Sequence, residues 1–250
     1  MTLNTFSKPY STRKDLERAV AHHTWLAEHA KSLQLPPLVA VHANRLELGF
    51  VDGRHAVVAD VPAVAVTLGQ AHADVWASDL HRALLTHAHP MSGGHELADF
   101  ASPRIAALRK RCEAGLISVR QITAVQSLLA PHPATPAAFY KDTNPRNVLI
   151  TSGGPVMVDL DDLTLAPFGY DLAKLLVALA MTGGPLPPET YTAALSCYNL
   201  PLTDAGLTPV SIDEFLGYAE LHHLLTLPYL GKGGYRHPWS TVRPTPEDLK

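Results

Sequence analysis

The sequence predicts a two-lobed α+β protein, a small strand-bearing front followed by a larger and mostly helical body. Three observations carry this. Near the front, apolar residues alternate or run in short stretches, at 38–42 and again at 45–51. From Pro62 onward the apolar spacing changes to three and four residues, the period of one buried helix face. Within that helical body, two more short apolar runs, 148–151 and 156–160, flank Ser152-Gly153-Gly154 and read as a single β-hairpin.

Taken in chain order, Ser11-Thr12 ahead of Asp15 signals a helix start, because a hydroxyl at that place can accept one of the orphan N–H groups of the first turn. Leu16, Val20, Ala27 and Ala30 are expected on the apolar face of this helix, and Pro36-Pro37 ends the segment. The runs 38–42 and 45–51 have Ala43-Asn44 between them and Asp52-Gly53 after them, so two strands joined by a tight turn are expected. Val66, Gly69, His72, Ala73 and Trp76 then open a helical region that extends through Leu129. A Pro-punctuated turn, Pro131-His132-Pro133-Ala134-Thr135-Pro136, leads to Phe139 and the hairpin. After Tyr170 an apolar helix runs to about Met181, and helices alternate with Pro and Gly breaks until a polar tail from Gly231.

A chain of 250 residues with 46% hydrophobic and 17% charged residues can bury a substantial core, which argues against disorder. Its net charge of −3 gives no electrostatic reason to expect a nucleic-acid partner, since phosphate-tracking surfaces need a basic excess. The longest apolar stretch, 172–181, is interrupted by Lys174 and closed by Gly183-Gly184-Pro185, too short to cross a bilayer. The charged opening, with Lys8, Arg13, Lys14, Asp15, Glu17 and Arg18, does not resemble a signal peptide, so a cytoplasmic protein with no membrane partner is expected. Cys112 and Cys197 lie far apart and suggest neither a disulfide framework nor a zinc site. Adjacent pairs such as His22-His23 and His222-His223 cannot both face one site on a helix, so most histidines are expected at the surface or as satisfied core residues. Gly231-Lys232-Gly233-Gly234 lacks the Ser/Thr helix start of a phosphate-binding loop and reads as a flexible tail.

The chemistry concentrates in Phe139-Tyr140-Lys141-Asp142-Thr143-Asn144-Pro145-Arg146-Asn147 and, across the hairpin, in Met157-Val158-Asp159-Leu160-Asp161-Asp162. Phosphoryl transfer needs a carboxylate to orient an attacking hydroxyl and take its proton, and oxygen ligands that hold magnesium against nucleotide phosphates. Asp142 supplies the first. Asn147, five positions later, and Asp159, at the end of the returning strand, supply the second once antiparallel pairing brings them to the same end of the hairpin. Asp161 shares the strand face of Asp159 by two-residue alternation and is a further metal candidate, while Lys141 can reach the transferred phosphoryl group.

At these residues the chain resembles the aminoglycoside phosphotransferase and choline kinase-like family, whose catalytic loop reads His-Gly-Asp-x-x-x-x-Asn before a strand ending in Asp. Tyr140-Lys141 stand where the family has His-Gly. Phe168-Gly169-Tyr170-Asp171-Leu172-Ala173 resembles the family's Tyr/Trp-Asp-Leu-Ala segment, whose Asp braces the catalytic loop. Leu68-Gly69-x-x-His72-Ala73 resembles the first helix after the hinge, and 45–53 the last front strand and hinge, where main-chain groups at Gly49 and Val51 would hold an adenine edge. Phe6-Ser7-Lys8-Pro9-Tyr10 is similar to the strand that presents a phosphate-binding lysine, and 17–26 to the helix that follows it. Counting back from Trp25 puts Ala19 where a lysine-pairing Glu is expected, with Glu17 about half a turn away.

The resemblance implies a protein-kinase-like fold divided into a truncated N-lobe at 1–53 and a helical C-lobe at 54–250. It implies ATP or GTP with Mg2+ as cofactors, and a small-molecule hydroxyl acceptor, antibiotic or metabolite, lined by helices after residue 180. Only seven residues precede Lys8, which leaves no room for the usual phosphate-covering loop; a protein partner completing the N-lobe is one expectation that follows. Two other readings follow as well, a pseudokinase or scaffold and a peptide Ser/Thr kinase, either within a natural-product or peptide-modifying assembly.

Overall fold

In the computed structural model, which describes residues 4–140, 142–245 and 248, the front lobe is one helix laid on a three-stranded sheet. Strand β1 (Thr5–Pro9) leads into α1 (Arg13–His29), followed by β2 (Leu38–Val41) and β3 (Arg45–Gly49). All pairing is antiparallel in the order β1-β3-β2. Thr12 has an extended backbone and accepts the Asp15 N–H at 3.1 Å, so α1 starts where the sequence indicates. The buried stripe differs from the expected one, because Ala27 is exposed while His22 and His23 are buried beside Leu16, Ala19 and Leu26. Counting aliphatics passes over histidines that find main-chain partners: His23 Nε2 meets the Pro36 carbonyl at 2.8 Å, and His22 Nδ1 accepts the Leu163 N–H at 3.1 Å.

β3 ends at Gly49 and does not continue to 51, because the chain leaves the sheet there. The Gly49 N–H turns to the Pro37 carbonyl at 2.7 Å, and the Phe50 N–H goes to Asn4 at 2.9 Å. The Gly49 backbone is pressed so close to Pro37 that a Cβ would sit 2.9 Å from that ring.

The helical body follows. After β4 (Arg54–His55) comes α2 (Val61–Ser78), with Pro62 in the first turn, where no N–H is needed. A short hairpin, β5 (His89–Pro90) and β6 (Glu96–Leu97), precedes α3 (Ala101–Glu113) and α4 (Val119–Val125). Strand β7 (Ala137–Tyr140) enters the candidate catalytic loop, and β8 (Val148–Thr151) leaves it to pair with β9 (Gly154–Met157). Strand β10 (Thr164–Pro167) then returns beside β7. Helices α5 (Tyr170–Gly183), α6 (Pro188–Asp204), α7 (Ile212–Thr226) and α8 (Trp239–Val242) complete the body.

The second hairpin strand lies two residues earlier than the expected 156–160. Ser152-Gly153 alone make the turn, Gly154 (φ 111°) pairs with Thr151, and Val158 donates to the Asn147 carbonyl at 3.0 Å as the last rung. Asp159 then takes φ 64°, a left-handed value that no strand residue adopts. The polar tail also differs from expectation: Tyr235, Trp239 and Val242 are buried, and Trp239 Nε1 donates to Glu220 at 2.8 Å. Two aromatics supply enough apolar area to dock a segment whose average composition is polar.

Helices α2 and α6 touch backbone to backbone at Gly69, where a Cβ would lie 2.3 Å from the Tyr198 carbonyl oxygen. Helix α5 is buried on every side from Tyr170 to Met181, including Asp171 and Lys174. Among the described residues no helix is long and apolar enough to cross a membrane.

Candidate active site

The loop between β7 and β8 is closed on itself by its own polar groups. The Asp142 carbonyl accepts from the Asn144 N–H at 2.7 Å and from Asn147 Nδ2 at 2.8 Å, and the Asn147 N–H donates back to the Asn144 carbonyl at 2.7 Å. Pro145 sits in the first turn of the short helical segment Pro145–Asn147, where its fixed φ suits the bend. Using Nδ2 in this way leaves Asn147 Oδ1 as the acceptor end of the amide.

Beneath the loop lies a chain of buried polar contacts. Thr143 Oγ1 donates to Asp171 Oδ1, and the other Asp171 oxygen is 3.6 Å from His72 Nε2. The Tyr198 hydroxyl accepts the Gly169 N–H at 2.9 Å and lies 2.7 Å from His72 Nδ1; because a lone pair on Nε2 would face the Asp171 carboxylate, the hydroxyl is assigned as donor to Nδ1. That assignment puts the imidazole proton on Nε2, facing Asp171. Gly169 itself takes φ 83° at the start of α5, a value a side chain disfavours.

Asp142 carries an ion pair that the sequence reading missed. Lys174 Nζ lies 2.7 Å from Asp142 Oδ1, with the lysine side chain 4% exposed and the carboxylate 59% exposed. Burial works to lower the Lys174 pKa, but the charge of Asp142 and the Tyr235 hydroxyl outweigh it and raise the value. One signal was available. A lone lysine in an otherwise apolar buried helix needs a partner, and the lysine was read only as a break in the apolar run.

On the far side of the hairpin, Lys8 reaches across from β1 to Asp159 and to Asp161 Oδ2 at 2.6 Å, while the Tyr10 hydroxyl donates to Asp161 Oδ1 at 2.9 Å. Burial tends to lower the Lys8 pKa, and the two carboxylates overcome it and raise the value. Burial and then the Asp161 charge push the Tyr10 phenol up. Glu17 pairs with Arg13 at 2.7 Å and plays no part with Lys8, whose partners come from the C-terminal side of the hairpin. Asp159 and Asp161 do not share a strand face, since both lie beyond β9; the left-handed turn at Asp159 lets both carboxylates reach one ammonium.

These charges close one end of a cleft of about 300 Å³ between the lobes, walled by apolar groups such as Leu48, Gly49, Val51 and Leu149. A second cavity of about 540 Å³ opens on the other side of the loop, inside the helical body, with Asp142 and Lys174 in its wall. The sequence candidates thus fall into two contacting groups, Lys8 with Asp159 and Asp161, and Asp142 with Asn147. The rung between Asn147 and Val158 joins them. Lys141 lies outside the described residues.

Asn147, Asp159 and Asp161 offer hard oxygen donors, and the two carboxylates already hold a cation, the Lys8 ammonium, so the donor set suits a hard divalent ion. Among the described residues no group of three or more His, Cys, Asp or Glu could bind a metal alone.

A family model described as the phosphotransferase enzyme family matches residues 3–207. No curated protein matches the sequence. Among solved structures, macrolide 2'-phosphotransferase MphH from Brachybacterium faecium, an apoenzyme, superposes with a TM-score of 0.59 at 14% identity, covering 97% of this chain and 86% of that one. Aminoglycoside phosphotransferase APH(3'')-Id from Streptomyces rimosus, in complex with ADP and streptomycin, gives 0.58 at 17% identity over 89% and 86%. Choline kinase LicA from Streptococcus pneumoniae gives 0.57 at 16% identity over 91% and 77%. At these identities the likeness shows the fold, a two-lobed protein-kinase-like one.

Proposed function

The chain belongs to the phosphotransferase enzyme family, and from that premise we propose that it moves the terminal phosphoryl group of ATP or GTP to a hydroxyl of a small molecule. One observation carries the reading: a single hairpin rung joins the loop of Asp142 and Asn147 to the acid pair that holds Lys8, at the mouth between two cavities. The division of labour is a front lobe of residues 1–53 over a body of residues 54–250, with the nucleotide base in the apolar cleft against Gly49 and Val51. The Gly49 N–H is already given to Pro37, so the main chain at Val51, just past the sheet, is the better placed to meet the base edge.

Asp142 orients the acceptor hydroxyl and takes its proton as the oxygen attacks the terminal phosphorus. The phosphorus–oxygen bond to the β-phosphate breaks, the nucleoside diphosphate leaves with the electron pair, and Asp142 passes its proton to solvent. Lys174, fixed by burial, holds the Asp142 carboxylate in one orientation. Lys8 turns its ammonium from the acids to phosphate oxygens. Asn147 and Asp159, with Asp161 behind them, would hold magnesium, which when bound neutralises phosphate charge.

The test is a thermal-shift titration with Mg-ATP and Mg-GTP, because a ligand that binds only the folded form raises the melting temperature. A rise with at least one nucleotide is expected, and Asp159→Ala should abolish or greatly reduce it. No rise at millimolar nucleotide would sink the reading in favour of a scaffold.

A further inference from the structure

We infer that the hydroxyl acceptor is itself an anion, a small polyol bearing a carboxylate or a phosphate ester; this rests on the phosphotransferase reading above and names the substrate class of its second cavity. The wall of that cavity carries Arg104, Arg111, Arg146, Lys174 and Lys232 against a single described carboxylate, Asp142, a formal excess of four positive charges. The whole chain has a net charge of −3, so this excess runs against composition and is local.

Lys174 already satisfies Asp142, and none of the other four cations forms an ion pair among the described residues. Arg104 is the most telling. It is 7% exposed, yet it meets only neutral groups: the Phe100 carbonyl at 2.8 Å, the Tyr170 and Thr164 hydroxyls at 3.3 and 3.4 Å, and the rings of Phe100, Tyr170 and Tyr140 at 4.2, 4.8 and 5.0 Å. Aromatic faces soften the burial of a guanidinium but do not neutralise it, and a buried charge without a counter-ion is costly. Arg111 lies seven residues on, two turns along the same face of α3; its terminal nitrogens donate to the neutral Ala107 and Leu225 carbonyls, and its buried Nε has no hydrogen-bond partner. His222, 4% exposed and also in the cavity wall, leaves Nε2 without a partner. Lys174, Arg104 and Arg111 help hold that imidazole neutral, after burial itself, as a positive local potential requires. Two guanidiniums on one helix face, held by neutral oxygens and without a counter-charge, with the unpartnered Arg111 Nε and His222 Nε2 in the cavity wall, suit the oxygens of a carboxylate or phosphate. A polycation would meet like charge in the same place.

The experiment is a thermal-shift titration of the full chain, with AMP-PNP and Mg2+ present, using four size-matched probes: gluconate, glycerol 3-phosphate, sorbitol and glucosamine. Gluconate or glycerol 3-phosphate should raise the melting temperature where sorbitol and glucosamine do not. Apparent affinity for the anion should fall about tenfold in Arg111→Gln and in Arg104→Gln, the loss expected from one charge-assisted hydrogen bond. The rise caused by AMP-PNP should be unchanged in both. Should Arg104→Gln not fold, Arg111→Gln and the exposed Arg146→Gln carry the comparison. Glucosamine or sorbitol acting as strongly as the anions would overturn the inference and leave the phosphotransferase reading standing, as would an anion effect that survives in every arginine variant, or no anion effect at all. Absence of the AMP-PNP rise would remove both together.

Discussion

Two cavities meet at the loop of residues 142–147, and they are built from opposite materials. The cleft between the lobes has apolar walls and ends at two carboxylates that hold an ammonium. The cavity in the helical body ends at cations, with one carboxylate already paired. Their supports differ too. Among the described residues, the front lobe's separate core is the small cluster of Leu16, Ala19 and Leu46, whereas the second cavity is walled by α3, α5 and α7, which pack into the main core. On the proposed reading, the nucleotide base meets a light, strand-built lobe, whereas the metal ligands stand on a hairpin of the body. The proposed acceptor cavity lies in the heavier helical frame, where charge can be buried and held in place.

The sharpest break of this contrast is Asp159→Ala. It should abolish nucleotide-dependent thermal stabilisation, which for a ligand at a hundred times its Kd amounts to about 2.7 kcal/mol. Turnover should fall below detection while gluconate or glycerol 3-phosphate binding persists, so the two cavities separate. Next in size, Asp142→Asn should lower turnover by about 10²–10⁴-fold in a coupled ADP-release assay while both cavities keep their ligands. Equal turnover in variant and parent would remove the proton-accepting role.

A smaller effect is expected from Thr143→Val, which leaves buried Asp171 short of a donor beneath the loop. Urea denaturation should show a loss of about 1–3 kcal/mol, and kcat should drop with KM nearly unchanged, since ligand contacts are intact and only the aim of Asp142 is disturbed. The mildest test is acid. His222, His22 and His223 all have values lowered below the ordinary 6.5, with burial the first cause in each. The unfolded chain therefore binds protons that the folded chain refuses, and stability should decline as pH falls below 6.5. His222→Asn should flatten that decline; an unchanged slope would mean that the His222 imidazole does not contribute to it.

The division between what could and could not be read from the sequence follows the same boundary. Asp142, Asn147 and Asp159 sit within eighteen positions on one hairpin, so local pairing alone draws them together, and their order could be read. Lys174, Arg104, Arg111 and Lys232 come from α5, α3 and the segment after α7, and only tertiary packing gathers them around one space. No spacing announces that. The short strands β4 to β7 and β10 escaped for a related reason: two to four residues leave little period to detect, and the partners of β4, β7 and β10 lie far away in sequence. The α1 histidines were passed over because burial of a polar ring depends on a carbonyl or N–H that some other segment brings.

The buried relay from Tyr198 through His72 and Asp171 to Thr143 has a consequence for how such a protein changes over generations. Tyr198 stands on α6, which contributes to neither cavity wall, yet its hydroxyl fixes which imidazole nitrogen carries the proton and so which way the relay pulls. Aim is stored apart from taste. On the proposed reading, the lining of the acceptor cavity can be changed residue by residue while the loop that carries Asp142 keeps its support from a helix outside both walls.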